Sequence, residues 1–362
     1  QRAEATGPVI TGSVIAPDNA IGMWNFTPDA YTPVLLQRMI SANAGGFAAG
    51  DYYYNNFYFN VSGIDGLKTQ AWKLSDWSSY DDYTGQMDYA ATTMAYSKWN
   101  DAVYGCFFNE ACDGYAFVRW KYDSYRKDWV ISELERPWSA CAFDSKNQLW
   151  AIEQNGDLYK VDYNDGTMTL AGKTGVQSIY TTDGTIDTDT DVFYWCVAND
   201  SENALYKVDL TTAKATKLYD LAAGEQIAGM YIAEPRLNTA APYLSNSALS
   251  CTLGSTSTAL RVPLRWTMPR YNNAQEALSD DEQLTWKIHV NGKLEESGTE
   301  AKGASVNGYI DIAEPGYYSF VLTVENSAGT SGRSYIKRWV GPDWPKAASN
   351  KPAIALDGNT VT

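Results

Sequence analysis

Along the first 234 residues, apolar and polar positions alternate in short runs that keep returning. The clearest runs read Gln70-Ala-Trp72-Lys73-Leu74, Val118-Arg-Trp120-Lys121-Tyr122-Asp123, Leu158-Tyr159-Lys160-Val161-Asp162 and Leu205-Tyr206-Lys207-Val208-Asp209. A fainter copy, Met23-Trp24-Asn25-Phe26, stands near the start. Aligned on the lysine, or on Asn25 in the first copy, they fall at 25, 73, 121, 160 and 207, in steps of 48, 48, 39 and 47. A period of two marks half-buried strands. Short strands that repeat every ~40–50 residues are the mark of β-propeller blades.

Each repeat carries further strands. Before the anchors lie Asn56–Asn60, Ala102–Cys106, Gln148–Ile152 and Val192–Cys196. Earlier still come small-residue strands at Gly46–Gly50, Thr93–Tyr96, Ser139–Phe143, Ser178–Thr181 and Ala228–Ile232. Small residues suit inner strands, which crowd around the axis. Four blades then span about 46–221, and the strand at 228–232 has no partners after it. Val9–Ala16, Ile21–Thr27 and Pro33–Met39 have no inner strand before them. Joining the two ends gives a fifth blade and leaves no exposed edge. The expectation is an all-β chain: a tail over 1–7 and a five-bladed propeller over 8–234. The repeated lysines sit on third strands, away from the axis, and read as scaffold.

Glu234–Pro242 reads as a linker by its proline and small polar content. Beyond it, strands such as Ala259–Trp266, Leu284–Val290, Tyr309–Ile312, Tyr317–Val324 and Ser334–Trp339 recur every 8–12 residues, and Val290-Asn-Gly-Lys is a hairpin signal. This predicts a β-sandwich over 235–344. Leu264-Arg-Trp266-Thr-Met-Pro269 resembles the second strand of a fibronectin type III domain, with its core Trp and following Pro. Glu314-Pro-Gly-Tyr-Tyr318 through Asn326-Ser-Ala-Gly329 resembles that family's Pro-x-x-Tyr strand ending in Asn-x-x-Gly, with Tyr318 as the tyrosine-corner residue. A propeller followed by this immunoglobulin-like module is similar to secreted or surface proteins of Bacteroidales-type bacteria. The resemblance implies that residues 345–362 are a linker and the start of a further module. The polar start at Gln1 reads as a terminus left by a removed export signal, or as the start of a piece cut from a longer chain.

Charge narrows the partners. A net charge of −15 repels nucleic acid and anionic membranes over most of the surface. No run of 18 apolar residues marks a spanning helix. Five cysteines, no CxxC and one His argue against a Cys/His zinc site. Cys106 and Cys112 flank a short loop; a disulfide there and two small buried hydrophobes are both open readings.

Two constellations carry candidate chemistry. Asp187-Thr-Asp189-Thr-Asp191 has the alternate-carboxylate spacing of a calcium loop. However, Val192 stands where an EF-hand needs Gly and Ala198 where it needs Glu, so a long polar turn is the competing reading. In a propeller, ligands gather at loops that enter the inner strands or join second to third strands. Those loops offer Tyr89, Asp113, Arg136 and Trp138 as a candidate binding set, against an ordinary solvated rim. Asp51, Asp144, Asp183 and Glu234 stand at inner-strand ends but in no recognisable glycosidase motif. No nucleophile elbow or phosphate loop occurs.

The expected function is a non-catalytic secreted or cell-surface binding protein. Its propeller recognises a glycan or an extracellular protein, its fibronectin-like module is a spacer, and it needs no cofactor beyond a possible Ca²⁺. A glycan-active hydrolase or lyase and a purely structural scaffold are the alternatives.

Overall fold

The computed structural model describes residues 7–15, 21–38, 47–53, 57–62, 68–84, 91–109, 113–121, 126–234, 237–254, 257–342, 356–357 and 360–361. It is all-β, with no helix among the described residues, and it divides into two compact units, Gln1–Arg236 and Leu237–Thr362.

The first unit opens with β1 (Ile10–Ile15), β2 (Ile21–Thr27) and β3 (Ala30–Arg38). Then come β4 (Phe47–Tyr53), β5 (Phe57–Ser62), β6 (Lys68–Lys73) and β7 (Ser79–Thr84), followed by β8 (Ala91–Ser97), β9 (Ala102–Phe108), β10 (Tyr115–Lys121) and β11 (Arg126–Leu134). Next are β12 (Trp138–Phe143), β13 (Leu149–Glu153), β14 (Asp157–Val161) and β15 (Met168–Lys173), then β16 (Gly184–Asp187), β17 (Val192–Ala198), β18 (Asn203–Asp209) and β19 (Ala215–Asp220). The last strand of this unit is β20 (Gln226–Ile232).

These strands form repeated four-stranded antiparallel sheets, each in sequence order except one, which runs β20-β1-β2-β3. The first strands touch in a closed circuit: β4 with β8, β8 with β12, β12 with β16, β16 with β20, and β20 with β4. This is a propeller-type arrangement. The recurring Trp/Tyr-Lys strand is the third strand of every sheet, including the faint copy on β2.

The core lies between successive sheets. Ala140, Trp150, Ile152 and Leu158 of one sheet meet Phe193, Trp195, Tyr206 and Val208 of the next. Tyr194, Cys196 and Leu205 turn the other way, towards Ile10, Phe26, Ile227 and Met230. Period-two alternation therefore feeds two cores at once, and the two apolar residues that flank each lysine, such as Tyr206 and Val208, share one face and one core.

The turns repeat as well. Between third and fourth strands, the backbone N–H of Trp77, Gly166 and Ala213 donates to the carbonyl four residues back, at 2.7–2.8 Å. All three close the turn with positive φ. Gly166 does so freely, whereas Trp77 and Ala213 accept a left-handed strain of about 1–2 kcal/mol.

One expectation changes. Ser178–Thr181 is not the inner strand; β16 begins at Gly184. The difference is packing: Gly184 lies so close to Phe193 and the carbonyl of Tyr194 that a Cβ would meet them at 2.7 and 2.8 Å. Only the segment carrying that glycine can pair tightly with β17.

The second unit holds two sheets. One is β21 (Ser250–Cys251), β22 (Arg261–Thr267) and β25 (Ser305–Asp311), in the order β21-β22-β25. The other orders β24 (Lys293–Ala301), β23 (Gln283–Val290) and β26 (Gly316–Asn326), with β27 (Gly329–Thr330) and β28 (Ser334–Val340) both pairing with β26. Between them lie Val262, Leu264, Trp266, Leu284, Ile288, Phe320 and Leu322. Trp266 meets Trp286 edge-on at 5.0 Å. Asn291-Gly292 turns the hairpin from β23 to β24 with positive φ at both residues, as a two-residue turn requires. Tyr318 Oη donates to the Glu314 carbonyl at 2.8 Å. Of the segment 345–362, only the ladder of Leu356–Asp357 with Thr360–Val361 lies within the described residues.

Candidate functional site

One face of the first unit is built from loops that enter first strands (135–137, 174–183 and 221–225) and loops that join second to third strands (154–156 and 199–202 among them). The candidate residues named from sequence do not come together there as a set. Tyr89 lies outside the described residues. Asp113 is exposed; its carboxylate accepts from Asn109 Nδ2 at 3.0 Å, and its backbone N–H donates to Asn109 Oδ1 at 3.1 Å, so it closes its own loop. Arg136 is exposed and sits 3.5 Å from Glu153 Oε2. The Glu153 side chain is only 9% exposed. Burial raises its carboxyl above the usual range, and Arg136 opposes that rise.

Trp138 requires a correction. It is the first residue of β12, all six residues of which are buried, and it has no exposed surface. Its ring packs 5.2 Å from that of Phe117. A ring enclosed on every side cannot stack on a ligand.

The aspartates of the calcium-like spacing are held within turns. Asp187 accepts from the Asp189 backbone N–H and the Thr190 hydroxyl, at 3.1 and 2.8 Å. Asp191 reaches to the neighbouring sheet and accepts from the backbone N–H and hydroxyl of Ser145, at 2.8 and 2.7 Å. Among the described residues, no three such side chains gather as a cation site.

The acids at inner-strand ends have separate structural partners. Asp144 accepts from the backbone N–H of Lys146 and Gln148 and from Trp150 Nε1, each at 2.9 Å. Glu234 pairs with Lys98 at 3.2 Å. For Asp51, on β4, the backbone alone is described. Asp183 is wholly buried: it accepts from the Thr93 hydroxyl at 2.5 Å and the Met230 backbone N–H at 3.1 Å. Cys106 is a buried free thiol, not half of a disulfide, and burial pushes its pKa up to about 11. Cys112 lies outside the described residues.

The feature that sequence reasoning missed is the loop 174–183. Its backbone is pinned across two sheets: Ser178 N–H donates to the Gln154 carbonyl at 3.0 Å, and Ile179 and Tyr180 N–H donate to the Ala198 carbonyl at 3.0 and 3.2 Å. Asn199 Nδ2 donates to the Gln177 carbonyl at 2.8 Å. The fixed loop holds Ile179 and Tyr180 outward, each 44% exposed. Tyr180 Oη donates to Asp200 at 2.5 Å, and that carboxylate raises its pKa. An apolar pair inside a Thr/Ser/Gly-rich connection was the available signal.

No protein-family model matches this chain, and neither does any curated protein. Among solved structures, TolB from Acinetobacter baumannii is similar at 9% identity and a TM-score of 0.41, covering 92% of this chain and 67% of its own. A chain of a nidogen/laminin complex is similar at 8% identity and a TM-score of 0.40, covering 63% of this chain and 99% of its own. At these identities and scores, neither likeness bears on what this chain binds.

Proposed function

We propose that this chain is a non-catalytic binding protein acting outside the cell, with a five-bladed propeller as its recognition platform and a fibronectin type III-like sandwich as a spacer. The sheet closed by β20 supports the blade count. The strand order β21-β22-β25 against β24-β23-β26-β28, together with the Tyr318–Glu314 bond, supports the sandwich assignment. The observation that carries the binding reading is the pinned loop with Ile179 and Tyr180 exposed side by side. A rigid aliphatic–aromatic pair suits a hot spot on a protein partner, and it loses little entropy on binding. Glu135, Asp200, Glu202 and Glu225 stand in loops of the same face and favour a basic partner surface.

The test is binding to a panel of immobilised extracellular proteins and to a glycan array, with wild type and the Ile179→Ser/Tyr180→Ala double variant. Loss of a hot-spot pair weakens a protein partner by about 2 kcal/mol, roughly thirtyfold. Binding that the double variant leaves unchanged overturns the placement. Release of new reducing ends from a bound glycan favours the hydrolase alternative, and an unsaturated product the lyase.

A further inference from the structure

Near the start of the second unit, three short extended segments lie side by side outside the main strands. Pro242 pairs with Asn272, and Tyr271 pairs with Ala277, both antiparallel. The backbone bonds that frame these pairs are close: Tyr243 N–H to the Tyr271 carbonyl at 2.8 Å, Asn273 N–H to Ala241 at 2.9 Å, Asn272 N–H to Glu276 at 2.9 Å and Leu278 N–H to Arg270 at 3.0 Å. Register then sorts the side chains. Pro242 and Asn272 are buried. The next pair along, Tyr243 opposite Tyr271, therefore points outward, and these residues are 47% and 50% exposed. Ala277, also exposed, stands opposite Tyr271 on its other side and leaves that flank open.

The two tyrosines are held side by side with Cβ atoms about 5 Å apart, close to the length of one pyranose unit. Neither hydroxyl has a hydrogen-bond partner among the described residues. Two residues on from Tyr271, Asn273 Nδ2 donates to the Asn238 carbonyl at 2.9 Å, which fixes the amide and leaves Oδ1 as an open acceptor. The charged neighbours turn elsewhere. Arg270 lies against Gly303, where a Cβ would meet its guanidinium, and Glu276 Oε2 accepts from the buried Asn272 Nδ2 at 3.1 Å. The outward row of Tyr243, Tyr271 and Ala277 thus carries no charge.

We propose that this row is a stacking platform for a neutral glycan, so that the second unit is itself a binding module. Ring faces pack on the C–H faces of pyranoses, and the two phenols and the Asn273 amide serve sugar hydroxyls. Neutrality of the row selects an uncharged ligand, and the net charge of −15 disfavours an acidic one. A protein partner needs about 1,000 Å² of interface, far more than two rings and an alanine present. The pinned backbone fixes both tyrosines before binding, which limits the entropy lost. The site lies in a different unit from Ile179 and Tyr180 and is independent of them.

The test is isothermal titration of the full chain with neutral hexasaccharides of glucose, xylose and mannose, and with oligogalacturonate as the acidic counterpart. We expect at least one neutral probe to bind saturably. Tyr243→Ala and Tyr271→Ala should each weaken it about fivefold to tenfold, whereas Tyr243→Phe and Tyr271→Phe, which keep the ring faces, should weaken it less. Ile179→Ser/Tyr180→Ala should leave it unchanged. Thermal melting checks each fold. Ala277→Arg keeps both rings but crowds the open flank, and it should weaken binding even if the alanine variants melt early. No saturation by any neutral probe up to millimolar concentration overturns the proposal, as does unchanged affinity in the Tyr243→Ala/Tyr271→Ala double variant. Tighter binding of oligogalacturonate, or loss of sugar binding in Ile179→Ser/Tyr180→Ala, overturns it too.

Discussion

Replacing Asp183 with alanine should unfasten the propeller at its axis. The Asp183 carboxylate, wholly buried, accepts from Thr93 on β8 and from the backbone of Met230 on β20. Thr93 Oγ1 also accepts from the Cys141 backbone N–H on β12, at 3.0 Å. Asp183 itself directly precedes β16, so one carboxylate and one hydroxyl tie four first strands together. Asp183→Ala strands the buried Met230 N–H and leaves the Thr93 hydroxyl only the weak acceptor Cys141 Sγ, at 3.5 Å. Each donor so deprived costs about 1–3 kcal/mol, giving a total near 3 kcal/mol after the smaller desolvation of alanine. For a unit of this size that lowers Tm by about 6–12 °C. Asp183→Asn keeps one acceptor and should lose about half as much. Urea unfolding of Asp183→Ala, Thr93→Val and the double variant closes a cycle, with an expected coupling of about 1–2 kcal/mol. A loss below about 1 kcal/mol, or additive single effects, would refute the claim that this pair organises the axis.

Trp138→Ala should cost about 3–5 kcal/mol in urea unfolding through the cavity it leaves, while variants that remain folded keep wild-type ligand affinity. Glu153 has a folded pKa raised above its ordinary 4.5, chiefly by burial, so its ionisation opposes folding. Its contribution is fully present below about pH 4.5 and is lost as pH rises through the raised folded value. Glu153→Gln should therefore flatten the fall in stability above pH 4.5, and Arg136→Ala should extend that fall to higher pH, both read by denaturant midpoints across pH. Tyr318→Phe removes the hydroxyl bond to the Glu314 carbonyl and should lower the stability of the second unit by about 1 kcal/mol, measured by thermal unfolding. An unchanged midpoint would separate that hydroxyl from the corner it spans.

Much of the scaffold was legible because it is local and repeated. Trp72-Lys73, Trp120-Lys121, Tyr159-Lys160 and Tyr206-Lys207 mark third strands because alternation on a strand is set by the pleat alone. Asn164-Asp-Gly166 and Asn291-Gly292 mark turns because only certain residues take positive φ cheaply. The inner strand of the β16–β19 sheet was misplaced by local reading. Ser178–Thr181 is made of strand-prone residues, but β16 starts at Gly184, which fits closely against Phe193.

By itself, the sequence determined the all-β class and the repeating strand–turn rhythm, since pattern, propensity and turn chemistry act within a few residues of one another. Tertiary structure decided what each side chain meets. One residue separates Arg136, exposed in a loop, from Trp138, sealed at the head of a strand. Lys160 and the repeat-equivalent Lys207 share one register, beside Trp150 and Tyr194, yet they face different cores because they stand on successive sheets. Asp183 and Thr93 stand 90 residues apart and meet only because the sheets close around an axis. Burial and neighbours across sheets depend on the whole ring, so no window of sequence could supply them.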